Sequence, residues 1–178
     1  MSGSLFQLPD ELILAALAQA FPSRETQIRA LATLVYPSAA PCQNLVVYGT
    51  EATGKSAVTS ALLAELSDDP DDDLFSFRSA IVNSAECITA RHLYETLVGK
   101  VAEALQWDAP PSRCETLSQL TVELSKMLKY TPRPDGFRFV LVFDGIDHQR
   151  DSPHTLLPAL ARLSEIASHS PNLKLSIR

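Results

Sequence analysis

The sequence predicts an α/β fold in which helices flank a parallel sheet, and three observations lead to this prediction. Segments with helical periodicity alternate with short apolar segments, which is the pattern of parallel strands joined by crossover helices. The segment "FRFVLVF", 137–143, is almost entirely apolar, as a strand buried on both faces of such a sheet is. A glycine-rich turn at 49–56 joins an apolar strand to an amphipathic helix.

Two helices are predicted in the N-terminal segment, 1–43. The first is expected to begin at Pro9, and its apolar face contains Leu12, Ile13, Ala16, Leu17 and Ala20. The interruption "FPSRE", 21–25, precedes the second helix, for which Ser23 is the predicted N-cap. The inward side chains of this second helix are expected to be Ile28, Leu31 and Leu34.

The remainder, 44–178, predicts the α/β core. Strands are expected at 44–48, 75–83, 137–143 and 173–177. Amphipathic helices are expected after the glycine-rich turn, at 89–107 and at 117–130, the last with a capping box formed by Thr116 and Gln119. A further helix is expected to have Pro158 in its first turn and to run to about Ser168.

Length and composition restrict the class of protein. The 178 residues fit one domain, and a hydrophobic content of 46% argues for a folded core. The longest apolar segments stop short of the roughly 20 residues that a membrane helix needs, and the N-terminus lacks a basic region before an apolar run. We therefore expect an intracellular protein that has no contact with a membrane.

Neither the net charge nor the arrangement of acidic, cysteine and histidine residues predicts a nucleic-acid surface or a metal site. A net charge of −6 excludes a general basic surface for nucleic acid. The acidic run at 67–73 lacks the calcium-loop pattern and is expected to be a solvated loop. The three cysteines are widely spaced, as is typical of reduced thiols, and the four histidines are scattered singly.

The turn "GTEATGKS", 49–56, matches the pattern of a phosphate-binding loop, or P-loop, and lies between a strand and a helix as such a loop requires. Gly49 and Gly54 allow consecutive N–H groups to face the phosphates of a nucleotide, and the N-terminus of the following helix favours their negative charge. Lys55 is expected to contact the β- and γ-phosphates of ATP, and Ser56 to coordinate Mg²⁺. The expected nucleotide-binding set also includes Thr50, Glu51, Ala52, Thr53 and Ala57, with the side chain of Glu51 facing away.

A second carboxylate is needed to hold Mg²⁺, and Asp144 directly follows the apolar strand at 137–143. In P-loop ATPases that hydrolyse readily, a glutamate commonly follows this aspartate and polarises the attacking water, but here the position is Gly145. Loss of a general base lowers the rate by about 10²- to 10⁴-fold. Asp147 is displaced along the chain and one methylene shorter than glutamate. We therefore expect binding of ATP with little or no hydrolysis, and we assign no catalytic residue.

Four segments resemble one known family: "FPSRETQI", "NLVVYGTEATGKS", "VNSAECITARHLYETL" and "VLVFDGID". Together they are similar to the fifth-subunit family of the eukaryotic origin recognition complex, whose members are AAA+ initiator ATPases. The similarity extends from about residue 21 to residue 147. The pairing of the P-loop with "ECITARHLYE" is more specific than the P-loop alone.

The resemblance implies an AAA+ fold of the P-loop NTPase class, a nuclear location and a role in marking replication origins and loading the replicative helicase. The implied partners are the other origin recognition complex subunits, in a hetero-oligomeric ring with ATP at its interfaces, and origin DNA bound through the complex. Phe21 and Arg24 would lie near the adenine, and the sensor-1 position near Ser176. The sequence stops before the family's lid and winged-helix regions, so we expect a truncated chain whose fold is incomplete at the C-terminus.

Two other functions compete with this interpretation. One is a turnover-competent P-loop ATPase or a small-molecule kinase, although "HQRDSPHTLL", 148–157, offers only Arg150 for the arginine-rich lid of a kinase. The other is a scaffold whose P-loop no longer binds a nucleotide, and the intact Gly54, Lys55 and Ser56 argue against it.

Overall fold

The computed structural model contains, within its described residues, a parallel sheet of four strands. The structure describes residues 11–36, 44–67, 77–129, 137–149, 153–163 and 173–177. The strands are β1 (Asn44–Val46), β2 (Phe77–Asn83), β3 (Arg138–Asp144) and β4 (Leu173–Ile177), in the order β1-β4-β3-β2. Each pair of neighbours is parallel. The predicted α/β fold with a parallel sheet is confirmed.

The register brings the carboxyl ends of the strands to one edge of the sheet. Asn83, which ends β2, lies opposite Asp144, which ends β3. Ile177, which ends β4, lies opposite Phe143 and also opposite Val46. Ligands of parallel α/β sheets bind beyond this edge, so the residues that follow the strands are the first candidates for a site.

Strand β3 is buried on both faces because its side chains alternate between two apolar clusters. Phe139, Leu141 and Phe143 belong to one cluster, whereas Val140 and Val142 belong to the other. The burial confirms the prediction made from "FRFVLVF", and it agrees with the position of β3 between β4 and β2.

Helices supply the rest of each cluster. The cluster of Val140 contains residues of α1 (Glu11–Ala20), α2 (Glu25–Val35) and α3 (Lys55–Ser67). The cluster of Phe139 contains residues of α4 (Ala90–Ala104), α5 (Leu117–Lys129) and α6 (Pro153–Ala161). The predicted capping box at the start of α5 is confirmed, because the N–H of Thr116 donates to Gln119 Oε1 at 3.2 Å and the N–H of Gln119 donates to Thr116 Oγ1 at 3.3 Å.

The two N-terminal helices differ from the prediction in detail. On the predicted apolar face of α1, Leu17 is buried as expected, whereas Leu12 is 78% exposed. In α2 the buried residues are Ile28, Ala32 and Val35, and Leu34 is exposed, because steps of three residues drift away from the 3.6-residue period of the helix. Arg24, not Ser23, occupies the N-cap position of α2, and the backbone N–H of Ser23 donates to Glu25 Oε1 at 3.2 Å.

Helix α6 also differs from the prediction, which had its first turn at Pro158. The helix begins at Pro153, contains Pro158 in its interior and ends at Ala161 rather than near Ser168. Judged from the sequence alone, either proline could occupy the first turn, because proline has no N–H that would need a partner there. The structure places Pro153 in that turn. The predicted helix start at Pro9 and the acidic residues 68–73 lie outside the described residues.

Candidate phosphate-binding site

The loop between β1 and α3 has an unusual backbone. Gly49, Ala52 and Gly54 have φ angles of 153°, 57° and 78°. A side chain on Gly54 would meet no atom within 4 Å, so the need for glycine there comes from the backbone angle and not from lack of space. Alanine rarely adopts the left-handed region, and strained residues of this kind concentrate at ligand-binding loops.

The side chain of Lys55 is hydrogen-bonded to the backbone of the loop. Its Nζ donates to the carbonyl oxygens of Gly49 and Thr50 at 3.1 and 2.8 Å, and Thr53 Oγ1 donates to the same Thr50 carbonyl at 2.8 Å. Within the described part of the chain, no backbone N–H of residues 51–57 donates to a protein acceptor. These donors at the N-terminus of α3 match what an anion needs.

A cavity of about 770 Å³, here called the Asp144 cavity, lies on one side of the loop. Lys55 and Ser56 line it from the loop side, and Asp144 and Asn83 line it from the carboxyl ends of β3 and β2. The structure thus brings Ser56 and Asp144 to the same cavity at this edge of the sheet.

The chain turns sharply after Asp144. Gly145 has φ 64° and ψ 33°, in the left-handed region, and a short 3₁₀ turn, Ile146–His148, follows. The N–H of His148 donates to the carbonyl of Gly145 at 3.0 Å. Asp147 and His148 consequently line the Asp144 cavity as well.

A second cavity of about 560 Å³, here called the Arg24 cavity, lies between the loop and α2. Arg24 and Gln27 line it from the α2 side, and Thr53 and Gly54 from the loop. Tyr48, whose side chain is 90% exposed, lines both cavities. Both volumes are within the roughly 300–1,000 Å³ of small-molecule sites.

The predicted site residues are distributed over these two cavities. The Asp144 cavity contains Gly49, Glu51, Ala52, Lys55, Ser56 and Asp144. The Arg24 cavity contains Arg24, Gly49, Thr50, Thr53, Gly54 and Lys55. Phe21 and Ala57 line neither cavity, and Phe21 packs against the apolar cluster of Val140. Glu51 borders the Asp144 cavity through its place in the loop.

The sequence reasoning missed Asn83, Tyr48 and His148 as cavity residues. Asn83 carried a usable signal, because it is a polar residue at the carboxyl end of a predicted strand. Its side chain is held on both sides: Oδ1 accepts from the N–H of Ala85 at 3.2 Å and Nδ2 donates to Glu86 Oε1 at 2.7 Å.

A metal ion at this site would need ligands from outside the protein. Among the described residues, no group of three or more His, Cys, Asp or Glu side chains is arranged to hold one. Mg²⁺ fits this donor set, because it is usually held by one or two carboxylates together with substrate phosphates and water.

None of the helices in the described ranges is long and apolar enough to cross a membrane.

Comparison with known proteins gives one family. The AAA ATPase domain model matches residues 20–175. Subunit 5 of the origin recognition complex of Drosophila melanogaster is 29% identical over 164 residues, which are 89% of this chain and 32% of that protein. The Homo sapiens subunit 5 is 28% identical over 157 residues, 83% of this chain and 32% of that protein. The chain thus spans about a third of the length of these relatives.

A solved structure is similar as well. The Aeropyrum pernix Orc1 protein, in complex with DNA, superposes with a TM-score of 0.67 and 22% identity over 93% of this chain and 41% of that one. This likeness shows the fold. Together with the sequence relatives it confirms the resemblance to AAA+ subunits of the origin recognition complex.

Proposed function

Because the chain belongs to the AAA ATPase domain family, we propose that it binds ATP with Mg²⁺ at the loop between β1 and α3. Membership of this family implies a nucleotide ligand. One observation supports this site above all: Lys55, Ser56 and Asp144 line the same cavity. Residues 1–178 form one nucleotide-binding core in this proposal, with 1–43 supplying the helices beside the loop.

The loop and the N-terminus of α3 hold the phosphates. The N–H groups of residues 51–57 donate to phosphate oxygens, and Lys55, which uses two N–H groups on loop carbonyls, offers its third to the β- and γ-phosphates. Ser56 and Asp144 hold Mg²⁺ together with phosphate oxygens and water. When bound, the ion offsets the charge on the β- and γ-oxygens.

The Arg24 cavity receives the nucleoside part of ATP. It continues from the loop through shared residues, including Tyr48 and Lys55, and it has Arg24 and Gln27 on its far wall. Phe21 supports this wall from the apolar cluster behind it.

The bound ATP is hydrolysed slowly or not at all. Gly145 carries no side chain at the position where readily hydrolysing relatives of this class place a glutamate, and its left-handed backbone disfavours other residues. A missing general base lowers the rate by about 10²- to 10⁴-fold. ATP then acts as a structural ligand.

In the cell, the chain is a nuclear ATP-binding subunit of an origin recognition complex. It holds ATP at an interface with other subunits of a hetero-oligomeric ring, which binds origin DNA and loads the helicase when replication begins. Similarity to subunit 5 from Drosophila melanogaster and Homo sapiens supports this role.

The binding proposal is tested by isothermal calorimetry with Mg-ATP on the full chain. We expect binding by the wild type and its loss in Lys55→Ala, because Lys55 is the side-chain cation of the loop. Lys100→Ala is the matched control, since Lys100 pairs with Glu103 on the exposed face of α4. Equal affinities of the wild type and Lys55→Ala would contradict the proposal.

The structural role of ATP is tested in the complex assembled with its partner subunits. Radiolabelled ATP bound at this site should remain uncleaved through many turnovers of a competent neighbouring subunit. Rapid cleavage that is lost in Lys55→Ala but survives inactivation of the neighbouring sites would refute it.

A further inference from the structure

We propose that His148 contacts the terminal phosphate of the bound nucleotide and makes the site distinguish ATP from ADP; this inference rests on the proposed function. The position was not among the expected site residues. Four features of the turn after β3 lead to it: the placement of the imidazole, its pairing, its accessibility and the charge of the surrounding wall.

The imidazole of His148 lies beside Gly145. A Cβ atom built on Gly145 would be 3.7 Å from His148 Cδ2 and 3.5 Å from Ala85 Cβ. A glutamate side chain at position 145 would therefore start beside this ring. Because Gly145 has no side chain, nothing at position 145 separates the imidazole of His148 from the Asp144 cavity that it lines.

The ring lies beside a carboxylate on one edge and is accessible on the other. His148 Nε2 is 3.6 Å from Asp147 Oδ2, and the N–H of His148 anchors the backbone to the carbonyl of Gly145 at 3.0 Å. The side chain of His148 is still 57% exposed. Among the described residues, no protein group is hydrogen-bonded to its Nδ1. When Nδ1 carries a proton, it can donate to a phosphate oxygen.

The charges of the cavity explain why such a donor is useful. Glu51, Asp144 and Asp147 all line the Asp144 cavity, and a triphosphate there would meet three carboxylates. In the proposed site Mg²⁺ compensates Asp144. The imidazole of His148 stands beside Asp147 and offers a hydrogen bond to the oxygen that is nearest the carboxylates.

The terminal phosphate is the group that this wall faces. Lys55 and Ser56, assigned to the β- and γ-phosphates and to Mg²⁺, share the Asp144 cavity with His148. Arg24 and Gln27, assigned to the nucleoside, line the opposite cavity. ADP lacks the group that His148 would contact, so its affinity should depend little on this residue.

Calorimetry on the full chain with Mg²⁺ tests this inference, with a non-hydrolysable β,γ-imido analogue of ATP and with ADP as the probes. We expect His148→Ala to weaken binding of the analogue at least about tenfold, as loss of a hydrogen bond to a charged group does, and to change ADP affinity less than about twofold. His148→Gln, which keeps an N–H donor, should retain most of the preference. His92→Ala, on the exposed face of α4 and outside both cavities, is the control.

The outcomes separate this inference from the proposed function. Binding of both nucleotides by the wild type, with an equal loss or no loss in His148→Ala, would overturn the role of His148 alone. No binding of either nucleotide by the wild type would overturn both proposals.

Discussion

Replacing Gly145 with alanine should destabilise the protein by an amount that follows from the backbone alone. The residue has φ 64° and ψ 33°, a conformation that costs an L-residue roughly 1–2 kcal/mol. The new methyl group would meet Ala85 Cβ at 3.5 Å and His148 Cδ2 at 3.7 Å, which are ordinary contacts. Steric overlap therefore adds nothing, and we expect a loss of about 1–2 kcal/mol in the free energy of unfolding.

Thermal unfolding followed by circular dichroism measures this change. For a chain of this length a loss of 1 kcal/mol lowers the Tm by roughly 2–4 °C, so Gly145→Ala should unfold about 2–8 °C below the wild type. Gly145→Asn should lose less, because asparagine tolerates the left-handed region.

The matched control is Gly99→Ala in α4. Gly99 lies inside a helix, its φ is not positive, and a Cβ there meets no atom within 4 Å. Alanine is favoured over glycine in a helix interior by about 1 kcal/mol, so the same chemical change should raise the Tm. If Gly145→Ala also raised the Tm, the assignment of a left-handed turn after Asp144 would be wrong.

Three further predictions concern stability. Thr116→Ala should cost about 1 kcal/mol by removing the cap of α5, and double-mutant analysis with Gln119→Ala should show that the two losses are not additive. Thr59→Val should stabilise the protein by about 1 kcal/mol, because the buried Thr59 Oγ1 has no hydrogen-bond partner within the described residues. Burial raises the pKa of the Cys114 thiol above its ordinary value of 9.0, so the folded state binds the proton more tightly and stability should fall as the pH rises above about 9.

Urea unfolding measures all three changes, and two of them have control variants. Thr121→Val removes a hydroxyl that does donate, to the carbonyl of Leu117 at 2.9 Å, and should destabilise where Thr59→Val stabilises. Cys114→Ala should remove the part of the fall in stability above about pH 9 that comes from this thiol. Additive losses at positions 116 and 119, a destabilising Thr59→Val, or an unchanged alkaline profile in Cys114→Ala would each contradict the corresponding structural reason.

The parts of the fold that could be predicted are those set by neighbouring residues. The capping box at Thr116 depends on four consecutive positions, and the burial of β3 depends on an apolar run that no solvent-exposed strand would carry. The P-loop combines a fixed spacing with two glycines that have positive φ angles, so its shape is encoded locally.

The errors occur where distant residues decide between local alternatives. Pro153 and Pro158 satisfy the same rule for a helix start, and only the packing of Leu156 and Leu160 in the cluster of Phe139 distinguishes them. Asn83 and His148 could not be placed in one cavity from the sequence, because their proximity depends on the register between β2 and β3.

The order of the strands has a consequence for how the protein folds. β1, which leads into the phosphate loop, has β4 as its partner in the described sheet, with Asn44 opposite Leu175. These segments are far apart in the chain, and pairing of distant segments is slow because the entropy of closing a long loop must be overcome first. During synthesis, β1 therefore cannot pair with β4 until β4 has left the ribosome. We expect the ability to retain ATP to appear late and all at once in refolding, after the helices and the β2–β3 pair have formed.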